Sequence, residues 1–523
     1  MKKTILSLLL LLCHMYALMA QDTLWVRYDN RFQKNAFLPI ATADSIEVRT
    51  NAVLVYATTG NRSLAIPTDR ASLMLTNPGR YLLKPNTYSG TDYTNANATS
   101  GYNFAHSLES EHFAVFWDVR FGNNPASLSI GGYTASANSV LSIAERCWKM
   151  YADELGFIVP GQSTTDKYKI QLYIPYQTDW RADASGTDGQ EQNGTWGMTG
   201  LGHFNPWAAT ARGGHTIAHE VGHTFQYLVS ADLGTDAAGH YDRGWRWGWG
   251  GGNDNGWWES CADWQAYQIF PERQFTDGEY FEQHLNSHHL NLLHEDWRYA
   301  CCYIHDWWVM KRGRKVIGQM WRETVPYEDP VQTYQRMHGL TQEQFNDELM
   351  EGYMRMATWD IDGVRDRAKH RIGQHKTFLQ VVDAATATYQ ADVDHCIQNY
   401  GYAIINMTRP KVGTVVRAHF TGLTDASGYH YVYPERAGWR YAFVALQSNG
   451  TRTYGEVQAD RDGVAELTIP SGCTHLFFVV MGAPTQLWPH PWTSGKSSSD
   501  WSQNNEQWPY RVQFESTKPI LIQ

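Results

Sequence analysis

The stretch GGHTIAHEVGHTFQYL, residues 213–228, constrains this chain more than any other. His219 and His223 are four apart, so on a helix both imidazoles stand on one face a single turn apart, near enough to share one ion. Glu220 follows the first histidine directly, which sets its carboxylate at the flank of that ion, placed to take a proton from water. Ile217, Val221, Phe225 and Leu228 supply the apolar side that would bury the helix. A buried helix presenting two metal ligands is therefore expected, and the rest of the fold has to deliver at least one more.

A catalytic zinc usually takes three protein ligands and leaves a position for water. Position 226 is Gln, which excludes a third histidine three residues after His223. His215 lies one turn before His219, but one straight helix does not wrap three side chains around one ion, so His215 is expected beside the site or in solvent. Downstream, Glu259 is the first glutamate after the motif and opens WWESCADWQAYQIF, a stretch with helical character up to Pro271. Asp263 follows by four and shares its face. Glu259 can then bind the metal while Asp263 accepts a hydrogen bond from the far nitrogen of a ligand histidine, fixing its tautomer. Asp254, Asp242 and His240 are the alternatives, and all three sit in the glycine- and tryptophan-rich run 240–256. That run reads as a loop between the two ligand helices, with Trp245, Trp247 and Trp249 either lining a cleft or packing beneath it.

The rest of the chain divides by composition. MKKTILSLLLLLCHMYALMA has a basic start, an apolar stretch and a small residue at its end, the form of a secretory signal peptide over residues 1–20. Residues 21–100 read as a small β-rich leader with a polar linker at 90–103. Residues 101–380 hold a strand-helix-strand unit (FAVFW, a helix through Val140 to Leu155, then YKIQLYIP), the metal motif and a helical stretch rich in His and Trp. Residues 381–523 read as a connector and a β-sandwich, because VVRAHF, WRYAFVAL, AELTIP and HLFFVVM alternate with turn residues. The fold class is thus α+β. The formal net charge is −10 with no basic run, so a nucleic-acid partner is not expected, and the leader is too short for a membrane span. The six cysteines beyond the leader are as well explained by buried thiols as by disulfides.

HEVGH followed by a helix carrying ESCAD resembles the gluzincin metallopeptidases, and also secreted Bacteroidetes proteins with an uncharacterised metallopeptidase-like domain and a β-rich C-terminal region. The resemblance covers about residues 105 to 330 and is specific at His219, Glu220, His223, Glu259 and Asp263. It implies a zincin-like domain, Zn2+ as cofactor, and peptide-bond hydrolysis by a zinc-activated water with Glu220 as general base, on a protein, peptide or glycoprotein substrate outside the cell or at its surface. The gap between the second histidine and the glutamate is longer than in thermolysin-like members. His240, Tyr241, Arg243, Tyr267, Tyr299 and Tyr303 all remain open as the donor to the oxyanion. Residues 196–209 are a further expectation, as an extended edge for substrate pairing or as a plain loop. The competing expectation is a surface adhesin or carbohydrate-binding protein with a degenerate or structural metal site, its glycan contact made through the C-terminal domain.

Overall fold

The computed structural model describes residues 23–39, 43–49, 51–57, 63–67, 69–74, 79–191, 194–234, 256–276, 278–325, 328–487 and 506–521. The expected signal peptide and the loop residues His240, Tyr241, Asp242, Arg243, Trp245, Trp247, Trp249 and Asp254 lie outside them. The fold is α+β, and it divides into two compact units: residues 1–145 with 160–211, and 146–159 with 212–523. The stretch 101–380, expected as one domain, is therefore shared between them.

In the first unit the leader forms two three-stranded antiparallel sheets, which share a core of Val26, Val53, Val55 and Ile66. The main sheet has six strands: β1 (Lys84–Pro85), β2 (Ser107–Glu109), β3 (Phe113–Trp117), β4 (Ile170–Ile174), β5 (Ala182–Gln190) and β6 (Trp196–Phe204), in the order β1-β5-β6-β4-β3-β2. Strands β3, β4 and β6 run parallel, and β5 lies antiparallel to β6. Every residue of β3 and β4 is buried, as parallel strands covered on both faces require. The polar residues of β4 are satisfied inside the sheet: Gln171 donates to the Leu83 carbonyl at 2.6 Å and the Tyr173 hydroxyl to Gln171 at 2.8 Å.

Two expectations change here. Residues 90–103 are not a linker: Tyr93 and Tyr102 are buried in one cluster with Phe32, Leu82, Phe116 and Tyr173. The turn-forming residues between them carry the chain from one aromatic anchor to the next. The 196–209 stretch, expected as an extended edge or a loop, is extended only to Phe204: residues 201–203 of β6 are paired to both β4 and β5, residues 196–200 to β5 alone, and Pro206–Thr210 is a short helix.

The second unit begins within a helix. α1 (Ala137–Trp148) passes into a π-helical turn, Lys149–Glu154, and Gly156 ends it at φ +69°. The end of this helix packs on α2 (His215–Leu233), with Trp148 and Tyr151 against Phe225 at 5.7 and 5.4 Å and the Tyr151 hydroxyl donating to the Ala218 carbonyl at 3.0 Å. α3 (Gly256–Ile269) lies on α2, and α4 (Gly278–Ser287), α5 (Tyr303–Arg312) and α6 (Gln342–Met356) follow. The C-terminal strands form a five-stranded and a four-stranded antiparallel sheet, joined face to face through Phe420 on Tyr441 (4.0 Å) and Phe514 on Phe478 (5.4 Å). The four-stranded sheet also meets α6: Tyr353 stacks on Tyr402 at 3.9 Å, and Arg440 pairs with Asp347 at 2.7 Å. That second contact explains why residues 439–446 are buried without alternation. The sandwich is a structural part of this unit.

All six cysteines beyond the leader are free thiols, five of them buried. No helix among the described residues is long and apolar enough to cross a membrane.

Candidate metal centre

Residues 215–230 of α2 are all buried, so the motif helix is packed on every side. Gly222, the glycine of HEVGH, is where α3 comes closest. A Cβ there would come within 3.1 Å of Gln265 Oε1 and 3.4 Å of the Ala262 Cα. At the start of α3 a Cβ on Gly256 would overlap the Leu293 carbonyl. Gly222 lets α3 approach α2 closely, and Gly256 lets the start of α3 pass the Leu293 carbonyl. Gly222→Val would force the helices apart. The expected result is a loss of about 1–3 kcal/mol in denaturant unfolding and at least tenfold weaker zinc binding in a chelator competition, with Gly222→Ala far milder.

Across that contact the structure brings together the three residues expected as ligands. His219 Nε2 and His223 Nε2 are 3.1 Å apart, and Glu259 Oε2 is 3.0 Å from the first and 3.2 Å from the second. They form the group of metal-competent side chains found among the described residues. Asp263, 1% exposed, accepts from His219 Nδ1 at 2.8 Å. Gln226 does the same for His223: its Oε1 accepts from Nδ1 at 2.9 Å, and its Nε2 donates to the Trp258 carbonyl at 3.1 Å. With both Nδ1 atoms so engaged, Nε2 is the nitrogen that each imidazole turns toward the Glu259 oxygen. Three such atoms 3.0–3.2 Å apart are brought together by a shared proton or by a metal ion. A tetrahedral ion with bonds of about 2.0–2.1 Å holds its ligands about 3.3 Å apart, so the donor set fits zinc in both chemistry and spacing.

The electrostatics agree. Burial disfavours a charged His219, but the Asp263 carboxylate, and after it Glu259, outweigh burial and push its pKa well above the ordinary value. Burial likewise works against the Glu259 anion, yet His223 and His219 hold its carboxyl far below the usual range. The site is built for positive charge. Two carboxylates, Glu259 and Asp263, match the charge of one divalent ion. Glu220 is 8% exposed, between the two ligand histidines on α2.

Of the two places expected for His215, solvent is ruled out: it is fully buried outside the ligand set, with its ring 4.7 Å from that of Tyr267, because α2 is enclosed from its first turn. Tyr303 is committed to the Gln274 carbonyl at 2.8 Å. Tyr267 accepts from Arg212 at 3.3 Å. Of the three open donors among the described residues, Tyr299 stands at the centre: its ring is 6.1 Å from that of His219, and burial and then the Glu259 charge push its hydroxyl pKa up. Trp258 stacks on His223 at 4.7 Å and 8°, and Trp257 on His305 at 4.4 Å, so this pair forms packed walls. Gln226 and Trp258 were not expected in these roles. The signals were present, a glutamine three after the second histidine and an aromatic residue next to Glu259, but neither means anything until α3 is laid on α2.

The family model described as "Family of unknown function (DUF6055)" matches residues 76–520. The chain belongs to this family. The DUF6055 match takes in the main sheet of the first unit, the metal centre and the sandwich. No curated protein matches. Among solved structures, the Yersinia pseudotuberculosis-derived mitogen is similar over 24% of this chain and 82% of its own, at 8% identity and a TM-score of 0.15. That likeness carries no argument about the DUF6055 fold or its chemistry.

Proposed function

We propose that this chain is an exported zinc-dependent metallopeptidase of zincin-like fold, with its site on α2 and α3. The observation that carries the reading is the convergence of His219 Nε2, His223 Nε2 and Glu259 Oε2 within 3.2 Å of one another, with Glu220 in the intervening turn. A zinc ion there supplies a Lewis acid that polarises a carbonyl and makes water a nucleophile near neutral pH. His219, His223 and Glu259 hold it. Asp263 and Gln226 fix the two imidazoles in the tautomer that leaves Nε2 open. Glu220 takes the proton from the attacking water at its carboxylate and returns it to the leaving amine. Tyr299 donates its hydroxyl to the oxyanion, as a neutral phenol with a raised pKa can.

Tyr299→Phe is expected to lower kcat about 100-fold or more with little change in KM or zinc content, measured on one peptide substrate. The reading as a whole is tested by digesting a peptide library with the mature protein. Cleavage that a chelator abolishes and added zinc restores supports it; cleavage that survives full removal of metal overturns it.

A second reading, glycan binding, draws on one observation, and in the first unit instead of the C-terminal domain. Tyr133, Trp180 and Trp207 are 39%, 46% and 40% exposed and form one cluster, Trp207 stacked on Tyr133 at 5.7 Å and edge-on to Trp180 at 5.2 Å. Such rings suit sugar faces, but they offer no chemistry that would need the metal centre.

A further inference from the structure

Three exposed aromatic residues of the first unit stand at one end of its main sheet, and the hydrolytic mechanism uses none of them. Strands β3, β4 and β6 are parallel, with β4 between the other two. Tyr133 lies in the connection that leaves the carboxyl end of β3, Trp180 in the one that leaves β4, and Trp207 in the one that leaves β6. The crevice outside the carboxyl ends of parallel strands is where sheets of this kind bind ligands. Here three separate connections each deliver a ring to one cluster: Trp207 lies within 9° of parallel to Tyr133, and Trp180 stands at 85° to Trp207. A centroid separation of 5.7 Å is too long for two parallel rings to overlap fully, so Tyr133 and Trp207 each keep part of a face open.

Groups beneath the rings hold them in place. Asn205 is buried and caps the short helix of Trp207, accepting from the Ala208 N–H at 3.0 Å, while its amide donates to the Asp179 carbonyl at 2.8 Å, next to Trp180. Tyr133 closes a tight turn with Ile130, the two exchanging N–H to carbonyl bonds at 2.8 and 3.1 Å. Gly131 and Gly132 supply the positive φ that such a turn requires, at 60° and 89°. Gly131 also faces Thr178, whose Cγ2 would lie 3.7 Å from an added Cβ, so the connections after β3 and β4 meet there. A platform fixed in advance gives up little entropy when a ligand arrives.

The surroundings are polar. Among the described residues of the first unit no Leu, Ile or Val is strongly exposed; the exposed large apolar side chains are Phe37, Trp196 and these three rings. Thr178 and Asp179, immediately before Trp180, are exposed. Contiguous exposed rings mark a binding surface, where single scattered ones do not. Bare rings edged by hydroxyl and carboxylate groups, with no aliphatic side chain among them, match a sugar, whose C–H face is apolar and whose rim carries hydroxyls. We propose that Tyr133, Trp180 and Trp207 form a binding site for a neutral pyranose, its C–H face on Trp207 and Tyr133, its edge against Trp180, and its hydroxyls donating to Asp179. A carboxylate at the rim selects neutral over acidic sugars. Such binding rests on the glycan reading given above and needs neither the metal nor hydrolysis.

The test is made without catalysis. The full mature chain, stripped of metal, is applied to an array of neutral oligosaccharides of glucose, galactose, mannose and N-acetylglucosamine, with sialylated and sulfated counterparts. Retention on at least one neutral series is expected, and calorimetry with that oligosaccharide then gives the affinity. Trp180→Ala and Trp207→Ala should each weaken it about tenfold or more, with urea midpoints close to wild type. Asp179→Asn, which leaves all three rings in place, should weaken it several-fold. Trp196→Ala, which removes an exposed ring at the other end of β6, should change nothing. Silence on every neutral glycan, or retention on acidic glycans alone, overturns the proposal. So does equal affinity in wild type, Trp180→Ala and Trp207→Ala. Glycan binding by a protein that cleaves no peptide when zinc-loaded leaves this site and overturns the hydrolase; chelator-sensitive cleavage without any glycan retention does the reverse.

Discussion

Glu220→Gln is expected to leave one zinc per chain and to reduce peptide hydrolysis by about 100- to 10,000-fold. The amide keeps the size and burial of the carboxylate but cannot accept and return a proton, and positioned acid–base groups contribute on that scale. The effect belongs in kcat, because the lost interaction exists only while the proton moves. It separates a catalytic from a structural centre: a site that only holds the fold together has no use for a base at this position. Activity unchanged in a zinc-replete Glu220→Gln protein would show that the carboxylate takes no part.

A steep loss of stability below pH 6 is the second large expectation. His284, His288 and His305 are buried and neutral, each driven down to about pKa 3, chiefly by burial, and buried His375 is held well below its ordinary value for the same reason. His284, His288 and His375 gather where α4 meets Tyr402 of the sandwich, with His284 Nε2 3.3 Å from the Tyr402 hydroxyl. For a base whose pKa is lowered by folding, the stabilisation is complete above the unfolded value of about 6.5 and is lost as pH falls toward the folded value. Asp306 acts in the opposite sense. Burial raises it to about 6, so it protonates first in the folded state and offsets one histidine. About three protons net favour the unfolded chain, and at about 1.4 kcal/mol per proton per pH unit that is about 4 kcal/mol per unit between pH 6 and 4. A typical stability of about 5–15 kcal/mol would be consumed over about one to four units. Urea midpoints at half-unit steps from pH 7.5 to 4 should be flat above 6.5 and fall steeply below 6. A flat profile down to pH 5 would contradict the buried neutral state of these rings.

The local pattern pointed to the three side chains that the structure brings together, His219, His223 and Glu259. A four-residue histidine spacing and a four-residue Glu-Asp spacing are each properties of one helix, so they can be read before anything is known of how the helices meet. What could not be read is whatever depends on contact between elements. Gln226 looks like an ordinary polar residue of α2 until α3 places the Trp258 carbonyl beside it. The spacing left His215 either beside the site or in solvent, and only the packing of α3, with Tyr267 against its ring, decides that it is buried. Strand periodicity gave the β-rich leader and the C-terminal sandwich. It did not show that the sandwich is bound to α6, since a strand buried on both faces has no alternation to read. The polar run 90–103 misled for a related reason: its composition is that of a loop, while two tyrosines in it decide where it packs.

The glycine- and tryptophan-rich run 240–256 leads directly into α3. Gly256 is required where α3 passes the Leu293 carbonyl, Trp257 and Trp258 pack against His305 and His223, and Glu259 meets the two histidines of α2.

Metal stoichiometry tests the centre most directly. The mature protein, purified without added metal and analysed by elemental mass spectrometry, is expected to carry one zinc per chain, and His223→Ala and Glu259→Ala proteins that remain folded are expected to carry far less. A wild-type protein that takes up no divalent metal even when zinc is supplied, or variants that retain it in full, would contradict a metal centre at His219, His223 and Glu259.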